Sequence, residues 1–451
     1  MAVVKGAASD PQHQRGSPES KNRSRTSSLF GNAGFWIATQ VFAVVSVVVY
    51  TYHYDEAGID RKSVASISKL SLPPQSVLVD PLLFAVVGND GRFRENSFKT
   101  HFNPTSSTPP FFQIFDPAFL SILGPAPSIR AIASNPGFAF AHEAPIWVPE
   151  TDEVFFSSND GGPLGFSDID HNNEVAKIHL NDVFDAFAAS GSTTSPVNVS
   201  ATRVDLPDSV QMTNGGTGPF RSALLLISSG RGPLPPSLAI VNPSYPYNAT
   251  VILDNYYGRQ FNSLNDVKIH PKSGNIFFTD VTYGFLNHFR PNPLMPNHVY
   301  RFNPNTGSVR VVADGFDRPN GLAFSADGSK AYIADSGAAR GFLGPNQTEP
   351  ATVYVFDVER GIERFHNRRV FAYVDTGVPD GVQVDKSRNV YAACSDGVHV
   401  WNEEGMLLGK FFLGTASANI AFAGKGRLVI LAETEIFLAQ IAADGVDVSF
   451  A

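Results

Sequence analysis

From about residue 75 to the end of the chain, apolar residues fall in strand-length runs broken by Gly, Asn, Asp, Ser and Pro, with almost no sustained 3.6-residue period. This pattern predicts an all-β body of short strands. One unit recurs along it: a polar anchor, a short alternating strand, a turn and a second apolar strand. The clearest copies are NDVKIHPKSGNIFFTD from Asn265, NGLAFSADGSKAYIADS from Asn320 and DGVQVDKSRNVYAACSD from Asp380. EAPIWVPETDEVFFSSND from Glu143 is a fourth, and looser versions begin at Asn214 and Asn419. Successive anchors lie 71, 51, 55, 60 and 39 residues apart. If each unit supplies the two inner strands of a four-stranded sheet and the intervals supply the outer ones, residues 75–451 form a six-bladed β-propeller. A sandwich or barrel would also give short strands, but would not repeat this unit.

In a propeller the start of each innermost strand faces one mouth of the central channel, so Glu143, Asn214, Asn265, Asn320, Asp380 and Asn419 are expected to converge. Two carboxylates and four amides are hard oxygen donors, the set that suits a divalent cation. The expected cofactor is Ca²⁺, with Mg²⁺, Mn²⁺ and Zn²⁺ as alternatives. Against this stands the fact that Asn before a strand often makes an Asx turn, and that Asn320-Gly321 is a common turn dipeptide.

The N-terminal region is different in kind. Residues 1–28 carry Lys5, Arg15, Lys21, Arg23 and Arg25 against Asp10 and Glu19, and read as a disordered basic arm. Residues 29–50 contain no charge and are long enough to cross about 30 Å of hydrocarbon as a helix. Basic residues before them and Asp55 and Glu56 after predict a single-pass signal anchor, with a linker over 51–74 and a lumenal or extracellular body. A cleaved signal peptide, and hence a secreted body, is the competing reading. On that side of a membrane Asn198, Asn248 and Asn346 are glycosylation sequons.

Composition narrows the chemistry further. A net charge of −8 argues against nucleic acid as a partner. The single Cys394, set in an apolar run, excludes an internal disulfide and a cysteine-based zinc site. There is no G-x-S-x-G elbow, P-loop or dinucleotide fingerprint, and the Asp168, Asp170, Asn172 start of a calcium loop lacks its closing Glu because His179 stands there.

The segments HEAPIWVPETDEVFF, NYYGRQFNSLNDV, FFTDVTYGFLNHFRP, PNGLAFSADG and PDGVQVD, in this order, resemble the gluconolactonase/regucalcin-like (senescence marker protein) six-bladed propellers, and most closely the fungal lactonohydrolases. The resemblance runs from about residue 80 to the C-terminus. It implies a lactonase that opens lactone rings with a divalent metal at the channel mouth. Carried over motif by motif, it implies Glu143, Asn265, Asn320 and Asp380 as metal ligands. Asp380 then takes the proton from the attacking water, or attacks directly, and His142 assists proton transfer. Asn214, Arg259, Asp266 and Tyr283 are the expected substrate contacts. Arg259 enters because Ser263 stands where the regucalcin-like branch places an arginine for the sugar acid, which makes a bulkier or less polar lactone the alternative substrate. Tyr256, Tyr257, Phe261, Tyr283 and Phe285 would suit such a substrate, or else pack between blades. A strictosidine-synthase-like or paraoxonase-like enzyme, or a non-catalytic binding propeller, remain as the other readings of the same fold.

Overall fold

A computed structural model describes residues 72–446. Six sheets, antiparallel but for one added edge strand, surround a central channel, one for each anchor. Blade 1 comprises Glu143–Val148, Glu153–Ser157, Val175–His179 and Thr202–Val204, from the channel outward. Blades 2, 3 and 4 repeat the order with innermost strands Thr213–Phe220, Leu264–Ile269 and Pro319–Phe324. The six-bladed all-β propeller predicted from the repeats is therefore the observed architecture.

Chain from before the first anchor completes the last blade and extends the one before it. Blade 6 takes only Asn419–Phe422, Arg427–Ala432 and Glu435–Gln440 from its own repeat, and Ser128–Ser134 adds its outer strand antiparallel to Glu435–Gln440. Blade 5 (Val382–Val384, Val390–Cys394, Gly397–Trp401, Leu407–Phe412) is extended by Phe111–Ile114 and then by Ser76–Leu78, which pairs in parallel. The repeat register had assigned outer strands to the intervals between anchors. Even the shortest interval, from Asp380 to Asn419, holds four strands, but after Asn419 only three strands follow among the described residues, and Ser128–Ser134 supplies the fourth.

The innermost strands are buried almost throughout, because the next blade packs on each face and leaves no side for water. Between blades 2 and 3, Phe220, Leu225 and Ile227 meet Phe278 and Tyr300, whose rings stack at 5.2 Å. Phe261 belongs to this core, edge-on to both rings, and so is packing rather than channel lining. Cys394 is likewise buried in the core of blade 5, and burial pushes its thiol pKa well up, as expected of an inert core cysteine. The end of the channel away from the anchors opens into a cavity of about 290 Å³, to which every blade contributes, through Ile146, Gly216, Ile269, Phe324, Val384 and Phe422.

The arm, anchor and most of the linker expected over 1–74 lie outside the described residues. Among the described residues no helix is long and apolar enough to cross a membrane. Of the sequons, Asn198 and Asn248 are exposed, while Asn346 is half-buried and donates to Glu349.

Ile132 sits in the outer strand that closes blade 6, against Val429 and Leu438 of that blade and Phe156 and Ile178 of blade 1. Ile132→Ala is expected to lower the unfolding free energy by about 2–5 kcal/mol in urea titration. Tyr245→Ser, at an 87% exposed position, should stay within about 0.5 kcal/mol. Equal effects would place residues 128–134 outside the cooperative core.

Candidate functional site at the channel mouth

All six anchors lie at the same end of the channel, and in blades 1 to 4 the ladder breaks there, whereas Asp380 precedes its strand and Asn419 pairs regularly with Leu431. In blade 2 the pairing skips Asn214 and Gly215, between Thr213 and Gly216. In blade 3 it skips Asn265 and Asp266, and in blade 4 Asn320 and Gly321. In blade 1 the skip follows Glu143, and Ala144 takes a left-handed φ of 53°. A bulge of this kind re-aims a side chain that the regular pleat would leave facing a neighbouring sheet.

The glycine after an anchor has a second cause. A Cβ on Gly215 would land on the Asn265 carbonyl of blade 3, one on Gly321 on the Asp380 carbonyl of blade 5, and one on Gly381 on the Asn419 amide of blade 6. None of these three glycines has positive φ, so close approach of the next blade, and not turn geometry, requires them. Asn320-Gly321 accordingly lies within a strand, which removes the turn reading of that dipeptide.

The resulting site is dense in unsatisfied charge. Glu143 is 2% exposed, and a ring nitrogen of His142 and carboxylate oxygens of Glu143 and Asp380 lie within 4.8 Å of one another. Burial and then the nearby Asp380 push the Glu143 pKa well above the ordinary value. Burial likewise pushes Asp380 up to about 7, although His142 pulls it down. Burial opposes charge on His142, but Glu433, Glu143 and Asp380 around the ring outweigh it and hold its pKa well above 6.5. Two further oxygens, Asn214 Oδ1 and Asn265 Oδ1, are buried without any hydrogen-bond donor among the described residues. Two repelling carboxylates beside orphaned amide oxygens fit a hard divalent cation, which would satisfy both.

Not every anchor offers an oxygen. Asn419 donates its Nδ2 to Glu143 Oε2 at 2.6 Å, and its Oδ1 accepts the backbone N–H of Ile420 at 2.8 Å. It therefore orients Glu143 instead of acting as a donor to a cation.

Two expected substrate contacts are engaged elsewhere in the structure. Asp266 is 1% exposed; its oxygens accept from Lys268 Nζ at 2.9 and 3.0 Å and from the backbone N–H groups of Val267 and Leu322 at 2.8 Å. Thus it ties blade 3 to blade 4 and has no oxygen left for a substrate hydroxyl. Arg259 is exposed on a hairpin and spends its Nη2 on the Leu294 carbonyl at 2.7 Å, bracing a loop. Tyr283 feels the charge of Asp380, but its hydroxyl donates toward the carbonyls of Ser336 and Ala339 at 3.3 and 3.4 Å.

Three residues at the site escaped the sequence reading. Glu433 Oε1 lies 2.8 Å from His142 Nδ1, while its Oε2 accepts from Asn159 Nδ2 at 2.9 Å. Glu433 has a left-handed φ of 62°, held by paired backbone hydrogen bonds to Ala141. Asp160 accepts from Asn214. A signal for Glu433 was present: an acid recurs at or just past the end of the second strand in each clear repeat, as Asp280, Asp335 and Asp396. The first two cap the backbone entering their innermost strand, through Ser263 and Arg318 respectively.

Because the folded-state pKa of Asp380 is raised from about 3.9 to about 7, its contribution to stability is fully present below the unfolded value and lost as pH rises through 7. Asp380→Asn is therefore expected to raise the Tm of the EDTA-treated protein at pH 8 by a few degrees, with the gain disappearing near pH 4. A lowered Tm at pH 8 would contradict this account of the site.

Residues 142–433 match the model of the SMP-30/gluconolactonase/LRE-like region. Lactonohydrolase oryL of Aspergillus oryzae is 29% identical over 329 residues, covering 68% of this chain and 68% of that protein. A gluconolactonase of Zymomonas mobilis is 32% identical over 191 residues, 40% of this chain and 51% of its own length. Among solved structures, a gluconolactonase from Xanthomonas campestris superposes with a TM-score of 0.56 at 22% identity, over 73% of this chain and 94% of that one. The matched segment runs from His142 to Glu433, the two side chains that pair across the first and last blades, and on this match the chain belongs to the SMP-30/gluconolactonase/LRE-like family.

Proposed function

We propose that this chain is a divalent-cation-dependent lactonase, with Ca²⁺ as its cation. The observation that carries the reading is the meeting of buried Glu143 and half-buried Asp380 at the mouth where Asn214 and Asn265 keep donorless oxygens. The names of the lactonohydrolase and gluconolactonase relatives support lactones as the substrate class.

Glu143, Asn265, Asn320 and Asp380 would hold the cation, with Asn214 beside them. When bound, it supplies Lewis-acid polarisation of the lactone carbonyl and charge to offset the oxyanion. The remaining work falls to the chain. Asp380 accepts the proton of the attacking water as the new C–O bond forms at the acyl carbon. The imidazole of His142, turned by Glu433 at Nδ1, presents Nε2 and returns a proton to the alkoxide oxygen released when the ring C–O bond breaks. The product is an open-chain hydroxy acid. The absence of arginine at Ser263 and the exposed Leu294, Phe342 and Leu343 on loops of this face favour a lactone with an apolar substituent over a free sugar lactone.

Acid release should be followed with sugar, aliphatic and aromatic lactones before EDTA, after EDTA and after Ca²⁺ is restored. The expected result is turnover lost in EDTA and recovered with Ca²⁺, highest on the apolar lactones. Turnover indifferent to EDTA would overturn the cation's role, and no turnover across the panel would overturn the reaction.

The uncharged residues 29–50 support a tethered or secreted body on the lumenal or extracellular side. There the exposed Asn248 is the favoured glycan acceptor. In a eukaryotic secretory host, the mobility shift on deglycosylation should shrink in Asn248→Gln; an unchanged shift would exclude that site.

A further inference from the structure

Asp160 follows the second strand of blade 1, is 5% exposed, and has no part in the chemistry above. Its Oδ2 accepts from Asn214 Nδ2 at 3.0 Å and from Ser229 Oγ at 3.1 Å, both in blade 2. An ionised carboxylate only accepts hydrogen bonds, so it can meet Asn214 only through the amide NH₂. The other end of that planar amide is thereby turned away from Asp160, and it is Asn214 Oδ1 that is buried with no donor.

The local backbone keeps Asp160 in place. Gly161 takes a φ of +85°, and a Cβ there would collide with Asn287 and Phe289 of the blade 3 loop. Asn287 also donates to the Asp160 carbonyl at 3.4 Å, and Ser229 Oγ contacts the Leu264 carbonyl of blade 3 at 2.8 Å. Three blades thus meet at this carboxylate.

We propose that Asp160 is a positioning residue that sets Asn214 as an oxygen donor, giving the cation site an amide oxygen beyond those of Asn265 and Asn320. The proposal rests on the cation-dependent reading above. It explains why a buried carboxylate is held beside an amide whose own oxygen is left bare.

The test is Ca²⁺ affinity by calorimetry on the full chain, with Tm in EDTA measured in parallel. Asp160→Asn is expected to weaken Ca²⁺ binding about 10- to 100-fold, the usual effect of losing a group that orients a ligand, with little change of Tm in EDTA. In the background of Asn214→Ala, adding Asp160→Asn should cost no further affinity, because the residue acts through Asn214. Unchanged affinity in Asp160→Asn overturns the proposal, and so do additive losses, which would leave Asp160 only a long-range charge effect. Should Asp160→Asn not fold, Asp160→Ser is read in the same way. Failure of the unsubstituted chain to bind Ca²⁺ is a separate result, which overturns the cation-dependent reading itself and this proposal with it.

Discussion

The structure depends on how closely the innermost strands approach one another at one mouth of the channel. Gly215, Gly321 and Gly381 each leave room for a backbone or side-chain group of the following blade. That proximity brings the anchors of six blades to one mouth of the channel. It also explains why the anchors of blades 1 to 4 sit at breaks in the ladder, since a regular pleat would direct those side chains into the packed faces of the sheets. Packing and site construction are therefore one constraint here, and a methyl group at any of the three glycines would disturb both.

The same convergence concentrates opposed electrostatic demands. Glu143 is removed from water, Asp380 is half-buried, and the two repel each other, while His142 and Glu433 attract across the seam between the first and last blades. The arrangement is costly to the isolated fold and useful to a site that must take up a cation and move protons. Around it, polar groups without chemistry of their own hold the reactive ones in a single orientation: Asn419 on Glu143, Glu433 on His142, Asp160 on Asn214.

Ring closure binds the termini of the domain to this site. Blade 6 lacks an outer strand in its own repeat, and Ser128–Ser134 supplies it from before the first anchor. The paired Ala141 and Glu433 backbones then bring the start and end of the repeat array together, 292 positions apart inclusive of His142 and Glu433 in the matched segment. Blade 5 is held similarly. Arg94 pairs with Asp375, which also accepts from Lys410, in the loop that leads to Asp380.

The amino-acid pattern by itself determined the all-β class, the six repeats and the anchors at the head of each, because strand alternation, turn residues and repeat spacing are local properties of the chain. It also carried the residue types of a hard-cation site. Which anchors keep a free oxygen was decided only by tertiary structure. Asn214, Asn265 and Asn419 are the same residue in the same phase of the repeat, yet Asn419 is spent on Glu143 while the other two keep bare oxygens. Asp266 looked available beside Asn265 until Lys268 and the backbone of blade 4 were seen to occupy it. The pairing of Glu433 with His142 and of Asp160 with Asn214 joins residues 291 and 54 positions apart. No local periodicity encodes such distances; they follow from closing the ring, which sets distant strand ends side by side.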